Sequence, residues 1–399
     1  MNAITTRYPI LSIFNTRILV WMALLFCIII AGGIGAFSLV TRVHTPAVPW
    51  GLLVPSYVFF ALAATGSSLV NSFFTVFNVP TFKPIIKKGV LLSIVLVLPA
   101  LIFIIIDLGK WLQAYNLYIL FNPSSRLGWM GYLYVSFLIF LVLELIVVIR
   151  EEYLPKWVTQ AMGILVLIIT LAVHTNLGAL FGSLTVRPLW SSYLLPTHFI
   201  ASAILVGAMF HIIFITISYR LKNKEVPAGI KTLFCRDYRL LAIILIVANW
   251  GLLALKFIPG LSSVKTSPYI DLMLTGPYSG FFWGLEIVVG GILPLIILVL
   301  PKTRRSLKLM FSAAILIAIG IYFSKYDYLI SGQSIDPFTK EFIRYTPELG
   351  DFLLFAGGAC VCLLAYTLAK LLLPLEPEEE PGWFIFKKGL RLRNPKKPS

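Results

Sequence analysis

The sequence predicts an all-α polytopic membrane protein of about ten transmembrane helices, arranged as two pseudo-symmetric four-helix bundles with two flanking helices. Three observations predict this. Hydrophobic residues make up 59% of the 399 and charged residues 13%, whereas soluble domains carry about 25% charged residues; the mean hydropathy is +0.91. Apolar runs long enough to span about 30 Å of hydrocarbon recur along the whole chain. Runs such as 89–106 (GVLLSIVLVLPALIFIII) lack the alternation of barrel strands, so their amides must be satisfied within helices.

The first apolar run, 18–39, is too long for a signal-peptide core and is not followed by a small-x-small cleavage site, so it is expected to remain as a flanking helix. Runs at 50–74, 89–107, 127–149 and 157–180 form the first bundle, 50–180. Runs at 193–219, 239–257, 279–300 and 306–324 form the second, 193–324. A last helix, 349–373, flanks it and leads to a basic tail, 374–399, completing one integral membrane unit over 1–399.

The division into bundles comes from an internal repeat. Span two is entered at Trp50 and carries Pro55 and Gly66; span six is entered at Trp190 and carries Pro196 and Gly207. Proline and glycine are 11 residues apart in both, and the copies are offset by 141. Glu144 and Glu286 follow two spans later at an offset of 142. An even number of spans between copies makes the repeat parallel, related by an axis along the membrane normal.

Lys and Arg set the orientation. Loops and termini on the N-terminal side hold 23 of them and the opposite side 9, counting Lys256 and Lys325 as loop charges there. Both termini are therefore expected in the cytoplasm of a prokaryotic cell, with the chain multi-pass in its inner membrane. The net charge of +16 fits basic loops against anionic membrane lipids; without a recognition module it does not indicate nucleic-acid binding. Cys27, Cys235, Cys360 and Cys362 have no iron–sulfur or zinc spacing, and read as small hydrophobes. No metal site is expected.

Ionisable residues inside spans are costly and usually functional. Asp107, His174 and His198 fall toward the outer leaflet, Glu286 about two turns inside it, and Glu144 near the inner end of its span. Asp351 opens the last span. A carboxylate and an imidazole at one depth, next to aromatics, suit a quinone, whose carbonyls need donors and whose redox reaction needs proton exchange near neutral pH. Paired haem ligands on facing helices are missing, because span five offers only His174 opposite His198 and His211. A single haem between His174 and His198 is the one geometric alternative; no haem or iron–sulfur cluster is expected in this chain.

Several segments together resemble the NrfD/polysulfide-reductase membrane-subunit family, especially its ten-span HybB-like branch. They are PWGLLVPSYVFFALAATG (49–66), IDLGK (106–110), FNPSS (121–125), HTNLGALFG from His174, VRPLWSSYLLP ending at Pro196, FFWGLE ending at Glu286, and YTPELGD ending at Asp351. Their order matches the family and they cover nearly the whole chain. The resemblance implies a quinone-binding subunit of a respiratory oxidoreductase complex, with menaquinone or ubiquinone as substrate. It would dock on an extracytoplasmic ferredoxin-like iron–sulfur subunit, joined to a molybdopterin enzyme, a hydrogenase or a multihaem cytochrome c. Asp107 and His174 match family positions tied to the quinone; Tyr57, Ser56 and Arg187 are expected neighbours. Glu144, Glu286 and Asp351 are candidates for a proton relay, with proton translocation a possible outcome. One departure is Trp129, where the HybB-like pattern has a glutamate. A secondary transporter with intramembrane carboxylates and a purely structural anchor are the alternative classes. Prolines and polar groups lie near the outer ends rather than at the midplane, which disfavours the transporter.

Overall fold

The computed structural model describes residues 15–40, 50–109, 113, 115–373 and 375. Arg7, Arg42, Lys110 and the basic residues of the tail lie outside them. Among the described residues ten helices are long and apolar enough to cross a membrane. They are α1 (Thr16–Val40), α2 (Leu53–Val76), α3 (Lys83–Asp107), α4 (Arg126–Ile149) and α5 (Lys156–Gly182). The remaining five are α6 (Leu195–Leu221), α7 (Ala228–Leu261), α8 (Gly280–Val299), α9 (Leu307–Ser331) and α10 (Leu349–Leu372). The chain is thus an all-α, multi-pass integral membrane protein. We call the face carrying the α2–α3, α4–α5, α6–α7 and α8–α9 connections the basic face, and its opposite the far face.

Helices α2, α3, α4 and α5 pack in a closed ring, and so do α6, α7, α8 and α9. The rings join where α2 meets α6, with α5 against α6 and α9 against α2 on either side. This is the neighbour pattern that a twofold axis between α2 and α6 requires. α1 and α10 pair with each other, and α10 leans on α3.

Copies of the repeat meet at that axis. Trp50 and Trp190 stack with ring centroids 5.3 Å apart and planes at 16°. One level deeper, a Cβ on Gly66 would overlap the Ala203 carbonyl, and one on Gly207 would overlap the Ser67 amide. Only glycine lets the two backbones touch here, the small-residue packing that replaces hydrophobic driving force inside lipid. The Glu144–Glu286 correspondence does not extend the symmetry. Glu144 is the sixth residue from the basic-face end of α4, whereas Glu286 is the seventh from the far-face end of α8. A short helix, Ser267–Leu274, takes up part of the second copy before α8 begins.

α2 is the central post. All but three of its 24 residues are buried, including Ser56, Thr65, Ser67, Ser68, Asn71, Ser72 and Thr75. A polar stripe can face inward because most of these hydroxyls find partners, as in Thr65 to Ala61 O (2.8 Å), Thr75 to Asn71 O (2.9 Å) and Ser68 to Thr170 (2.9 Å). Helices at the rim instead expose leucine, isoleucine and phenylalanine, as α1 does with Leu24, Ile34 and Phe37, the surface a lipid phase requires.

Two helix bounds correct the sequence reading. α9 continues to Ser331 instead of ending at 324. Lys325 and Asp327 are consequently helix-borne and almost fully buried, at 1% and 0% exposure. Lys256 likewise lies within α7. Neither lysine is a loop charge, so the far face is less basic than counted and the charge asymmetry is larger. The helical pattern ran on, but the charges in SKYDYLIS mimicked a loop.

The far face is built by side chains that tie loops together. Arg187 donates from Nη1 to Gln333 O (3.2 Å) and Ile335 O (3.1 Å). Trp190 donates from Nε1 to Tyr328 O (3.0 Å), and Tyr328 donates to Leu189 O (2.7 Å). Gln333 exchanges bonds with the Trp50 backbone. Asp336 accepts the amides of Phe338 (2.7 Å) and Thr339 (2.9 Å), which hold its carboxyl below its usual range.

Candidate quinone site

The sequence places polar groups at the far-face ends of α2, α3 and α10, and the fold gathers them beside a cleft. Ser56, in the first turn of α2, donates to Leu52 O (2.7 Å), so its oxygen is left to accept from the Tyr322 hydroxyl of α9 (3.3 Å). Tyr345, in the loop before α10, accepts the Leu52 amide (2.7 Å) and donates to Asp351 Oδ2 (3.4 Å). Asp351 also accepts the Glu348 amide (2.8 Å), closing a reciprocal cap on α10. Gly51 makes room for this contact, because a Cβ there would stand 2.7 Å from the Tyr345 hydroxyl. The half-buried Asp107 at the end of α3 lies close enough to Asp351 for their charges to interact.

Next to this network is an apolar cleft of about 510 Å³ between α2, α9 and α10. Leu52, Phe59, Ala318, Tyr322, Phe352 and Phe355 are among its walls. Tyr322 packs on Phe355 at 4.8 Å and edge-on to Phe59 at 5.4 Å. Leu52 and Tyr322 belong to both cleft and network, so the polar cluster is one end of the cleft. The volume falls in the range of about 300–1,000 Å³ typical of small-molecule pockets.

Asp107 and His174 are not brought together as a pair. His174 has 0% exposure and lies where the bundles meet, between Thr65 of α2 and the Phe199 backbone of α6. Its Nδ1 is 3.1 Å from Thr65 Oγ1, and the Thr65 proton is committed to the Ala61 carbonyl at 2.8 Å. The His174 Nε2 is buried with no hydrogen bond of ordinary geometry, and the Phe199 backbone is close enough to act on the ring. Tyr57 faces the first bundle, its ring 6.2 Å from that of Tyr134, and the two buried hydroxyls are close enough to interact. Arg187 is occupied by the 333–335 backbone. Glu144 is buried with both carboxylate oxygens unpartnered. Glu286 meets the hydroxyl of Ser324 and the charge of Lys325. His198 is at the start of α6 and 8% exposed. His211 bridges Ser67 (2.8 Å) and Tyr238 (2.7 Å). Trp129 is surface-exposed and donates to Pro123 O (2.9 Å). Among the described residues no group of three or more His, Cys, Asp or Glu could hold a metal ion.

Sequence reasoning missed Tyr322 and Tyr345. Their signal was present in the aromatic-rich run 322–328 and in YTPELGD, which begins at Tyr345. Only the helix packing shows that Tyr322 turns toward Ser56.

Comparison with known proteins gives these features a context. The family model described as polysulphide reductase, NrfD matches residues 40–336. An Hdr-like menaquinol oxidoreductase integral membrane subunit of Archaeoglobus fulgidus is 25% identical, covering 83% of this chain and 86% of that protein. A selenate reductase subunit of Mesobacillus selenatarsenatis is 22% identical over 82% of this chain and 86% of its own. The menaquinone reductase integral membrane subunit of Nitratidesulfovibrio vulgaris is 22% identical over 76% and 78%. With a match over most of its length, the chain belongs to the NrfD polysulphide reductase family of integral membrane proteins.

Proposed function

We propose that this chain is the quinone-exchanging membrane subunit of a respiratory oxidoreductase complex. The observation that carries the reading is the apolar cleft closed at one end by Ser56, Tyr322, Tyr345 and Asp351, with Asp107 beside it. Tyrosine hydroxyls can donate to quinone carbonyls, carboxylates can exchange the protons of the redox reaction, and apolar walls suit an isoprenoid tail leading to lipid. The names of two relatives favour menaquinone as the substrate. His174, buried where the bundles meet, serves in proton exchange, and Glu144, Glu286 and Asp351 continue as relay candidates. Electrons pass to or from an extracytoplasmic iron–sulfur subunit, which connects to a further catalytic subunit.

This reading puts the basic face in the cytoplasm. Reporter fusions after Lys397 and within 113–120 should give opposite compartment signals, and equal signals would contradict the orientation. The function itself is tested by labelling the purified chain with an azido-menaquinone. Label is expected on 52–59 and 315–326. Label that ordinary menaquinone fails to displace would reject a specific site.

A further inference from the structure

Five helices of the two bundles send six titratable side chains into one region: His174 from α5, His198 from α6, Lys256 from α7, Glu286 from α8, and Lys325 and Asp327 from α9. α2 adds the uncharged Thr65, and Tyr326 and Tyr328 of α9 border the region. Lys325 is the hub, near enough for its charge to act on His174, His198, Lys256 and Glu286. Glu286 in turn acts on Asp327. Lys325 is 1% exposed with its ammonium 4.9 Å from the Phe199 ring, and Lys256 Nζ is 3.8 Å from the Tyr328 ring.

These groups are near one another but not in contact. Among the described residues no basic nitrogen lies within 4.0 Å of either carboxylate, in contrast to the surface pair Lys83–Glu151 at 2.9 Å. Both oxygens of Asp327, Oε2 of Glu286, Nζ of Lys256 and Oγ of Ser331 are buried without partners. A structural ion network would be closed by direct, well-aligned bonds, because an unpaired buried charge is strongly unfavourable. Two carboxylates and two ammoniums that balance in charge yet stand apart are the pattern that bridging water satisfies. The far-face part of α8, Gly280–Ile292, is π-helical, a widened form found mostly at functional positions, and Glu286 is in its middle.

We propose that this region is a water-bridged proton-exchange site, with Lys325 passing charge between His174 and the Glu286–Asp327 pair. The quinone cleft is lined on α9 by Ile315, Ala318, Ile319, Tyr322, Phe323 and Tyr326; none of the six titratable groups is among its walls, and the proposal does not depend on where the quinone binds.

The test is pH-difference infrared spectroscopy of the full chain in phosphatidylethanolamine–phosphatidylglycerol vesicles, without quinone turnover. A protonated-carboxyl band should change with the bulk pH and move on transfer to D₂O. The Glu286→Gln/Asp327→Asn double variant should lose that component, while Lys325→Arg, which keeps the charge, should retain it with a displaced midpoint. A double variant with the native difference spectrum, or a component insensitive to D₂O, overturns the proposal. Should the double variant not fold, a Lys325→Arg midpoint identical to the native one overturns it equally. Loss of azido-menaquinone labelling would have no bearing on this result.

Discussion

Gly66→Leu should prevent the two bundles from closing on each other, and the protein should be lost from the membrane or recovered only as aggregate. Even the first carbon of the new side chain would overlap the Ala203 carbonyl, which is backbone and cannot rotate away. Ordinary overpacking of a core costs about 1–3 kcal/mol. Here α2 and α6 would have to separate along their length, and the Trp50–Trp190 stack above them would part as well. Gly207→Leu should act the same way through the Ser67 amide. Leucine at Gly33, which has nothing near its Cβ position, is the control and should assemble normally. Detergent-solubilised yield and size-exclusion profile read the outcome; a monodisperse Gly66→Leu protein would refute the close crossing.

Asp107→Asn and His174→Leu are each expected to lower quinone-linked turnover of the assembled complex by about 10²-fold or more, the scale of a lost general acid–base group. The two act at different places. Asp107 stands with Asp351 at the polar end of the cleft, so its loss should affect reaction at the head group. His174 is held through Thr65 where the bundles meet, so its loss should block onward proton transfer. Membrane insertion and electron transfer within the soluble partner, followed with an artificial dye, should survive in both. Full quinone-linked rates in both variants would remove these residues from the mechanism.

Much of the fold was legible because lipid leaves the backbone few choices. Ten apolar runs had to be ten helices, and the Trp–Pro–Gly repeat marked the residues that meet at the bundle interface. Glycine against backbone is a constraint visible in sequence when it recurs at a fixed offset. The site was legible in part. Ser56, Asp107 and Asp351 gather near one end of the cleft, a grouping absent from the sequence reading, which put Asp351 in a proton relay. His174 turns toward the place where the bundles meet and Tyr57 toward Tyr134 instead, because residues at one depth on a helix can face any direction and only packing selects it. Lys256, Lys325 and Asp327 escaped notice for a different reason. A charge near the end of an apolar run reads as the start of a loop, and nothing in one sequence shows that the helix runs another turn and a half. Glu144 and Glu286 had the right offset for repeat partners, but the short Ser267–Leu274 helix shifts the register and puts them at unlike depths.

The central claim is that quinone enters between α2, α9 and α10. Azido-menaquinone labelling of the native chain beside Ala318→Trp tests it most directly, because Ala318 lines the cleft and is 9% exposed. A tryptophan there fills the cleft without touching His174 or Asp107. The account predicts displaceable label on 52–59 and 315–326 in the native protein and its loss in the variant. Equal labelling of both proteins, with the label on α4 and α5 around Tyr134 and His174, would contradict it and place the head group inside the first bundle.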